Sequence, residues 1–515
     1  MRGVSVTPQG SILDTARWPA GAAPVTTPLG LLLPVGNPAP ALSVLPPRAD
    51  AGDGRKLRPG LEVVFDELGI ADGRTLSFHH HYRDGDRVVV EVMRLARERG
   101  LKGLTICPSS IFPTHSSLVP LLEDGTITSI VTDYMRGPVA DWITAHPGRV
   151  TVLLQSHGGR ARAISSGQLK IDVAFVGASL ADRRGNLTGR AGALACGPLG
   201  YPAVDAQYAK ATVGMAHDVT DAALPRVDIP ARFVDLVVPF ERPGDANRIR
   251  SGSTVPSETP LSRGIAERSS DIIAAAGLLT EEFALQSGAG GYSLAAVPHV
   301  GSLLAAQGMR GAFMSGGITS AHVELLRAGV FRAIRDVQCF DLEAVRSAIE
   351  NPDHQMMTAA EYASPLHPNP CVDDLSVMLL GAVEVDFGFN VNVVSGTDGR
   401  ILGGPGGHPD AARGADLSIV LTSLTGGGFA KIVPAVRCVS TPGVDVDVVV
   451  TEAGFAINPA RADLVARLTR AGLKPVEIED LARIAGAQAA HSPAPLAERP
   501  SVHIERRDGL ILDWV

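Results

Sequence analysis

Residues 384–410 read EVDFGFNVNVVSGTDGRILGGPGGHPD and hold the densest set of groups in the chain that could do chemistry. Gly403-Gly404-Pro405-Gly406-Gly407-His408 leaves backbone N–H groups uncovered by side chains, which suits a concave site for an anion or an oxyanion. Gly406, Gly407 and Asn390 are the expected catalytic groups here, with His408 beside them as a substrate ligand. Upstream, Phe387, Phe389, Val391 and Val393 alternate with Asn390 and Asn392, which predicts a strand leading into the loop. Asp398-Gly399 predicts a tight turn between that strand and the glycines.

Three further segments carry cations or imidazoles at the ends of predicted strands. His79-His80-His81-Tyr82-Arg83 follows TLSF at 75–78, Arg136 follows the strand at 127–132, and Ser156-His157-Gly158-Gly159-Arg160 follows the strand at 150–155. A guanidinium fork at a strand end matches a carboxylate bidentately, so Arg83, Arg136 and Arg160 are expected substrate ligands. His79, His80 and His157 join them. Neighbouring histidines on a strand face opposite ways and no carboxylate sits at ligand spacing, so no metal is expected. Gln286-Ser287-Gly288-Ala289-Gly290-Gly291 is a strand-to-helix glycine loop and hence an anion cradle. It lacks both the Walker lysine and the GxGxxG spacing, which disfavours NTPase and dinucleotide readings.

The elements that must position these groups alternate between strand and helix, which predicts an α/β fold with mainly parallel, buried sheets. The chain also repeats itself. Gly100-Leu101-Lys102-Gly103 is echoed by Gly308-Met309-Arg310-Gly311, and Gly177-Ala178, Asp182, Gly185 and Asn186 by Gly381-Ala382, Asp386, Gly388 and Asn390. The pattern predicts two related domains, residues 51–245 and 246–515, sharing a cleft and joined through a polar linker at 242–260. Residues 1–50 are rich in Pro, Ala and Gly and read as an extension.

The net charge of −8 argues against nucleic-acid binding, and no apolar run is long enough to cross a membrane. The five cysteines are scattered and without a CxxC, as expected of reduced thiols in the cytoplasm.

Several of these pieces together resemble the alpha subunit of citrate lyase, the citrate CoA-transferase component, within the CoA-transferase superfamily. They are Ser77-Phe78-His79-His80 with Arg83 to Asp86, Ser156-His157-Gly158-Gly159-Arg160, Gly316-Gly317-Ile318-Thr319, Asp336-Val337-Gln338 with Phe340-Asp341, and Gly406-Gly407-His408. The resemblance runs in order over about residues 55–515. It implies two CoA-transferase-like α/β domains and the exchange of acetyl for citryl on a CoA-like thioester. That thioester, acetyl-CoA or the prosthetic arm of an acyl carrier protein, would be a substrate, with no cofactor held by this chain. Gly288, Gly290, Gly291, Gly316, Gly317, Gly403 and Gly404 would bind it. The implied partners are the beta (citryl lyase) and gamma (acyl carrier) subunits. Relatives acting on other acids carry a nucleophilic glutamate after a strand, where this chain reads Phe313-Met314-Ser315-Gly316-Gly317. A mixed anhydride formed without a covalent glutamyl step is therefore the expected route. Transfer to citramalate or another dicarboxylate is the alternative within the same chemistry, and a non-catalytic thioester-binding scaffold the alternative outside it.

Overall fold

The computed structural model describes residues 43–50, 55–249, 254–495, 502–509 and 511–515, plus the backbone of four three-residue strands before residue 43. The reading of residues 1–50 as an extension falls largely outside the described residues.

Seven parallel strands form the body of the first sheet, which has ten strands in all: β1 (Thr75–Phe78), β2 (Leu104–Pro108), β3 (Ile127–Thr132), β4 (Thr151–Gln155), β5 (Val173–Asp182), β6 (Ala211–Thr220) and β7 (Leu236–Pro239). The second sheet uses β8 (Ala284–Ser287), β9 (Gly311–Ile318), β10 (Phe331–Cys339), β11 (His354–Met356), β12 (Val377–Leu380), β13 (Leu417–Leu421), β14 (Val448–Thr451) and β15 (Gly454–Ile457). The first runs β7-β6-β5-β1-β2-β3-β4 and the second β14-β13-β12-β8-β9-β10-β11, with β15 added antiparallel at its edge. Within each seven, every neighbouring pair is parallel. Each strand of the first half thus has its counterpart seven strands later. The pair expected to coincide, around Leu104 and Ala312, does so as β2 and β9.

The strands are apolar on both faces, as sheets covered by helices on each side must be. β2 and β13 are buried at every position. One apolar cluster belongs to both halves, with Val131, Leu153 and Tyr201 packed together with Phe313, Val337 and Tyr362. The two sheets therefore share a core and do not merely touch.

Two sequence expectations change. The last hairpin, β16 (Val502–Glu505) and β17 (Ile511–Trp514), pairs parallel to β4 and so joins the first sheet. A boundary at 245/246 therefore misplaces the C-terminal residues. Buried Arg162 donates to Glu505 at 2.8 Å, which fastens this returning hairpin to the first half. Also, 387–393 is not one strand. Glu384–Asp386 and Val391–Asn392 pair antiparallel across a turn that holds Asn390. Asp386 Oδ1 accepts from the N–H groups of Gly388 (2.9 Å) and Asn390 (3.0 Å), and Phe389 takes a left-handed φ of 61°. Local side-chain hydrogen bonding overrides the alternating pattern.

Candidate active site

Parallel strands deliver their following loops to the carboxyl edge of a sheet, and both halves present that edge to one cleft of about 350 Å³. From the first half come His80 and Arg83 after β1, Phe112 after β2, Tyr134 after β3 and His157 after β4, joined by Tyr201. From the second come Gln286 to Gly290 after β8, Gly316 and Gly317 at the end of β9, Gln338 and Phe340 at the end of β10, and Tyr362. Gly404, Gly406, Gly407 and His408 close it.

His157 opens helix α1 (His157–Ser165), which Ser156 caps by accepting from the Gly159 N–H at 3.0 Å. The same hydroxyl donates to Asp410 Oδ1 at 2.7 Å, and the Gly158 N–H donates to Asp410 Oδ2 at 2.8 Å. His157 lies 4.8 Å, ring to ring, from Tyr201 of helix α2 (Gly200–Tyr208). Its Nδ1 lies 2.7 Å from Oδ2 of buried Asp133, an acceptor, which leaves Nε2 as the imidazole's other functional nitrogen. Burial raises the Asp133 pKa, against the pull of the His157 hydrogen bond.

The glycine loop packs hard against this pair. A Cβ at Gly404 would overlap the Asp133 carbonyl oxygen, and one at Gly407 would overlap Tyr362 Oη. The Gly406 N–H donates to the Asp133 carbonyl at 3.1 Å, and the Gly406 carbonyl accepts from the His157 N–H at 3.0 Å. Gly406 therefore lines the cleft but spends its own N–H elsewhere, a correction to its expected role as an oxyanion donor. His408 begins helix α4 (His408–Gly414), after helix α3 (Gly291–Ala306) in the chain. It donates Nε2–H to the Gly381 carbonyl at 2.9 Å and accepts from Thr441 Oγ1 at 2.7 Å. Burial pushes its pKa down to about 4.

Arg83 is the one arginine or lysine among the described residues that line the cleft. Its guanidinium lies 4.1 Å from the centre of the Phe340 ring and 5.4 Å from that of Phe112, a stack spanning the two halves. Its backbone is left-handed, at φ 51°. Burial brings its pKa down to about 10, so it stays a cation at neutral pH. Burial, reinforced by Arg83, holds His80 well below the usual histidine range; its Nδ1 lies 2.6 Å from Ser109 Oγ.

Several expected ligands lie elsewhere. Arg160 sits in α1 and gives two 2.8 Å bonds to Asp205, with others to the Cys107 carbonyl (3.0 Å) and Ser77 Oγ (3.2 Å). That fork is spent inside the protein. His79 is buried beside the same Asp205, and burial lowers its pKa to about 3. Arg136 turns toward Asp84 at 3.7 Å. Asn390 donates to Asp386 and accepts from the Gly443 N–H at 2.9 Å, so it braces the turn and does not face the cleft. Gly291 and Gly403 are not among the lining residues, whereas Gly288, Gly290, Gly316, Gly317 and Gly404 are.

The sequence also left groups unnoticed. Tyr362 Oη accepts from Gln286 Nε2 at 2.6 Å, and Gln286 Oε1 accepts from Ser315 Oγ at 2.9 Å. The tyrosine proton is thereby left for the cleft. Asp336, Cys339 and His354 converge in the interior, but His354 Nε2 and Cys339 Sγ lie at 3.0 and 3.1 Å from Asp336 Oδ2, a hydrogen-bonded set. No residue pattern pointed to Tyr362, which lies in the helix Ala359–Ala363, and Gln338 stood only within the family-like run Asp336-Val337-Gln338.

Two α/β halves with one strand order, sharing a glycine-walled cleft at their carboxyl edges, define the duplicated fold of the CoA-transferase class. A family model described as "Citrate lyase, alpha subunit (CitF)" matches residues 54–515. The citrate lyase alpha chain of Escherichia coli K12 is 39% identical over 475 residues, 91% of this chain and 92% of that one. That of Klebsiella pneumoniae is 37% identical over 462 residues, 90% and 91%. The solved alpha subunit of citrate lyase from Streptococcus mutans, in complex with citrate, superposes with a TM-score of 0.87 at 37% identity, covering 92% of this chain and 93% of that one. A Pseudomonas malonate decarboxylase hetero-tetramer shares the fold alone, at TM-score 0.61 and 18% identity over 85% and 84% of the chains. The chain belongs to the citrate lyase alpha-subunit family and is an enzyme subunit of the transferase type. Among the described residues no helix is long and apolar enough to cross a membrane.

Two outcomes follow from this geometry. Arg160→Ala leaves buried Asp205 uncompensated and should cost about 3–5 kcal/mol in urea unfolding, while the KM for the acid substrate stays within about threefold in the folded fraction. His408 stays neutral when folded, to about pH 4, whereas its unfolded form takes up a proton near pH 6.5. Its contribution to stability is therefore constant above pH 6.5 and is lost as pH falls from 6.5 toward 4, by up to about 1.4 kcal/mol per unit. His408→Gln should flatten that slope in unfolding titrations between pH 7 and 5.

Proposed function

We propose that this chain exchanges acetyl for citryl on a CoA-like thioester, through a mixed anhydride formed directly between the two acids. One observation carries the mechanistic part: among the described residues that line the cleft there is no aspartate or glutamate. The two nearest alternatives by sequence are both spent or remote. Glu384 accepts from Thr397 Oγ1 (2.7 Å), Asn392 Nδ2 (3.0 Å) and the Arg437 N–H (2.8 Å), which occupies both of its oxygens. Glu324 is exposed on the helix Ser320–Arg327 and lines a different recess, with Pro256 to Arg263.

Without an enzyme carboxylate to carry the acyl group, a citrate carboxylate oxygen attacks the acetyl thioester carbon. The C–S bond breaks and the thiolate leaves, giving a citryl–acetyl anhydride. The thiolate then attacks the citryl carbonyl carbon, the anhydride C–O bond breaks and acetate departs. Each tetrahedral intermediate puts negative charge on one oxygen. The Tyr362 hydroxyl and the N–H groups opening α3 after Gly288 and Gly290 are the donors that would receive it. Arg83, dry and flanked by rings, holds a carboxylate of the acid in place. The thioester arm is a substrate, supplied by a gamma-type acyl carrier subunit and passed on to a beta-type lyase subunit. Five buried free thiols are compatible with a cytoplasmic setting.

Initial-rate kinetics with acetyl-CoA and citrate should be sequential, with intersecting double-reciprocal lines. Intact-mass measurement after acetyl-CoA alone should show unmodified protein; a CoA adduct on any carboxylate, with parallel lines, overturns the mechanism. Arg83→Met should raise the KM for citrate by about 10- to 100-fold, the loss of one charge-assisted pair, and an unchanged KM would remove Arg83 from the acid's site.

A further inference from the structure

Among the described residues that line the cleft, Gln338 has an amide whose orientation a neighbouring carbonyl decides. Its Nε2 lies 2.9 Å from the His80 carbonyl oxygen, which also accepts from the Arg83 N–H at 2.7 Å. A carbonyl cannot donate, so the amide nitrogen must face it and Oε1 must face the other way. That oxygen is buried without a hydrogen-bond partner, on a residue 1% exposed. The backbone at this position is fixed. The Gln338 N–H donates to Asp336 Oδ1 at 2.7 Å, and Asp336 is itself held by His354 and Cys339.

An orphan acceptor is an odd wall for a polyanion, since it repels every ionised carboxylate. It is well suited to a hydroxyl, which has a proton to give. The turn it binds is that of Arg83, and Phe340, two residues beyond Gln338, stacks on the Arg83 guanidinium. One small region thus offers a cation and, beside it, a neutral acceptor. A 2-hydroxy carboxylate presents the complementary pair, a carboxylate and an adjacent hydroxyl on one carbon. We propose that Gln338 Oε1 accepts the hydroxyl of the acid substrate and makes the site selective for 2-hydroxy acids over their hydroxyl-free analogues. This rests on the acyl-exchange reading above and names the feature of the acid that the cleft reads.

The test measures acetyl-CoA-dependent exchange by the full-length chain on citrate and on tricarballylate, which differs only in lacking the hydroxyl. The wild type should favour citrate in kcat/KM by about 10- to 100-fold. Gln338→Leu and Gln338→Met should lower the value for citrate by a similar factor and leave tricarballylate unchanged, so that the preference collapses. Retained tricarballylate exchange shows in the same sample that the variant is folded. Wild-type exchange that is equal on both acids overturns the proposal even if neither variant folds. An equal fall on both acids with a raised KM for acetyl-CoA also overturns it, and moves Gln338 to the thioester arm. Exchange with no acid at all instead overturns the acyl-transfer reading, and the role of Gln338 falls with it.

Discussion

A single buried carboxylate, Asp410, fixes where the two halves meet. It belongs to the second half, yet both oxygens are taken by the first, through Ser156 Oγ and the Gly158 N–H. Burying an ionised carboxylate costs several kcal/mol, on the order of what a helix N-terminus and two good hydrogen bonds can return. Burial nonetheless leaves its pKa raised. The return depends on position. Asp410 must sit at the opening turn of α1, and the glycines just before it must then run along Asp133 and His157. Side chains on that run would collide with the Asp133 carbonyl and with Tyr362. The glycines are therefore there for close approach, and the backbone is drawn tight enough for Gly406 to exchange hydrogen bonds with both neighbours.

This constraint explains a cleft that is apolar and nearly neutral in its walls although the proposed substrates are anions. The acids and bases near it are consumed within each half: Asp133 by His157 and Asp205 by Arg160 in the first, Glu384 by Asn392 and Thr397 in the second. What faces inward is one stacked arginine, imidazoles, three tyrosines and amides. In a dry site such fixed dipoles act strongly on a developing oxyanion, because no water competes and none has to reorient. A carboxylate among them would compete with the substrate for the same donors.

The fold was legible in the sequence to an unusual degree, because strand alternation and duplication are both written locally. TLSF at 75–78 and LSIVL at 417–421 are strands over those residues, and the echo between 100–103 and 308–311 marks the openings of equivalent strands. The site was half legible. Strand ends led to His80, Arg83, His157 and the 404–408 loop, which line the cleft. They misled at Arg160 because its partner Asp205 lies on another helix, and no spacing rule links a guanidinium to a carboxylate 45 residues away. Asn390 misled for the opposite reason, since Asp386 captures it within four residues and turns a strand into a hairpin. Tyr362 escaped because it belongs to no motif, and Gln338 because the run Asp336-Val337-Gln338 carried a family resemblance but no role. Each becomes functional only through a contact across the halves.

Duplication with one strand order also accounts for the division of labour. Equivalent strand ends lie at equivalent places around the cleft, so a pair of loops derived from one ancestral position can take different tasks. After β1 comes the Arg83 turn with its histidine; after its counterpart β8 comes the open glycine loop from Gln286 to Gly290. After β3 stands Tyr134, and the counterpart β10 ends at Gln338 and Phe340. The first half supplies the cation and most of the imidazoles, and the second supplies bare backbone and amides. In the proposed exchange a polyanionic acid and a thioester arm have to meet in one place, and they ask for those two kinds of wall. The shared core between the sheets then matters as much as any side chain. Only a rigid junction keeps a guanidinium from one half stacked on Phe340 from the other.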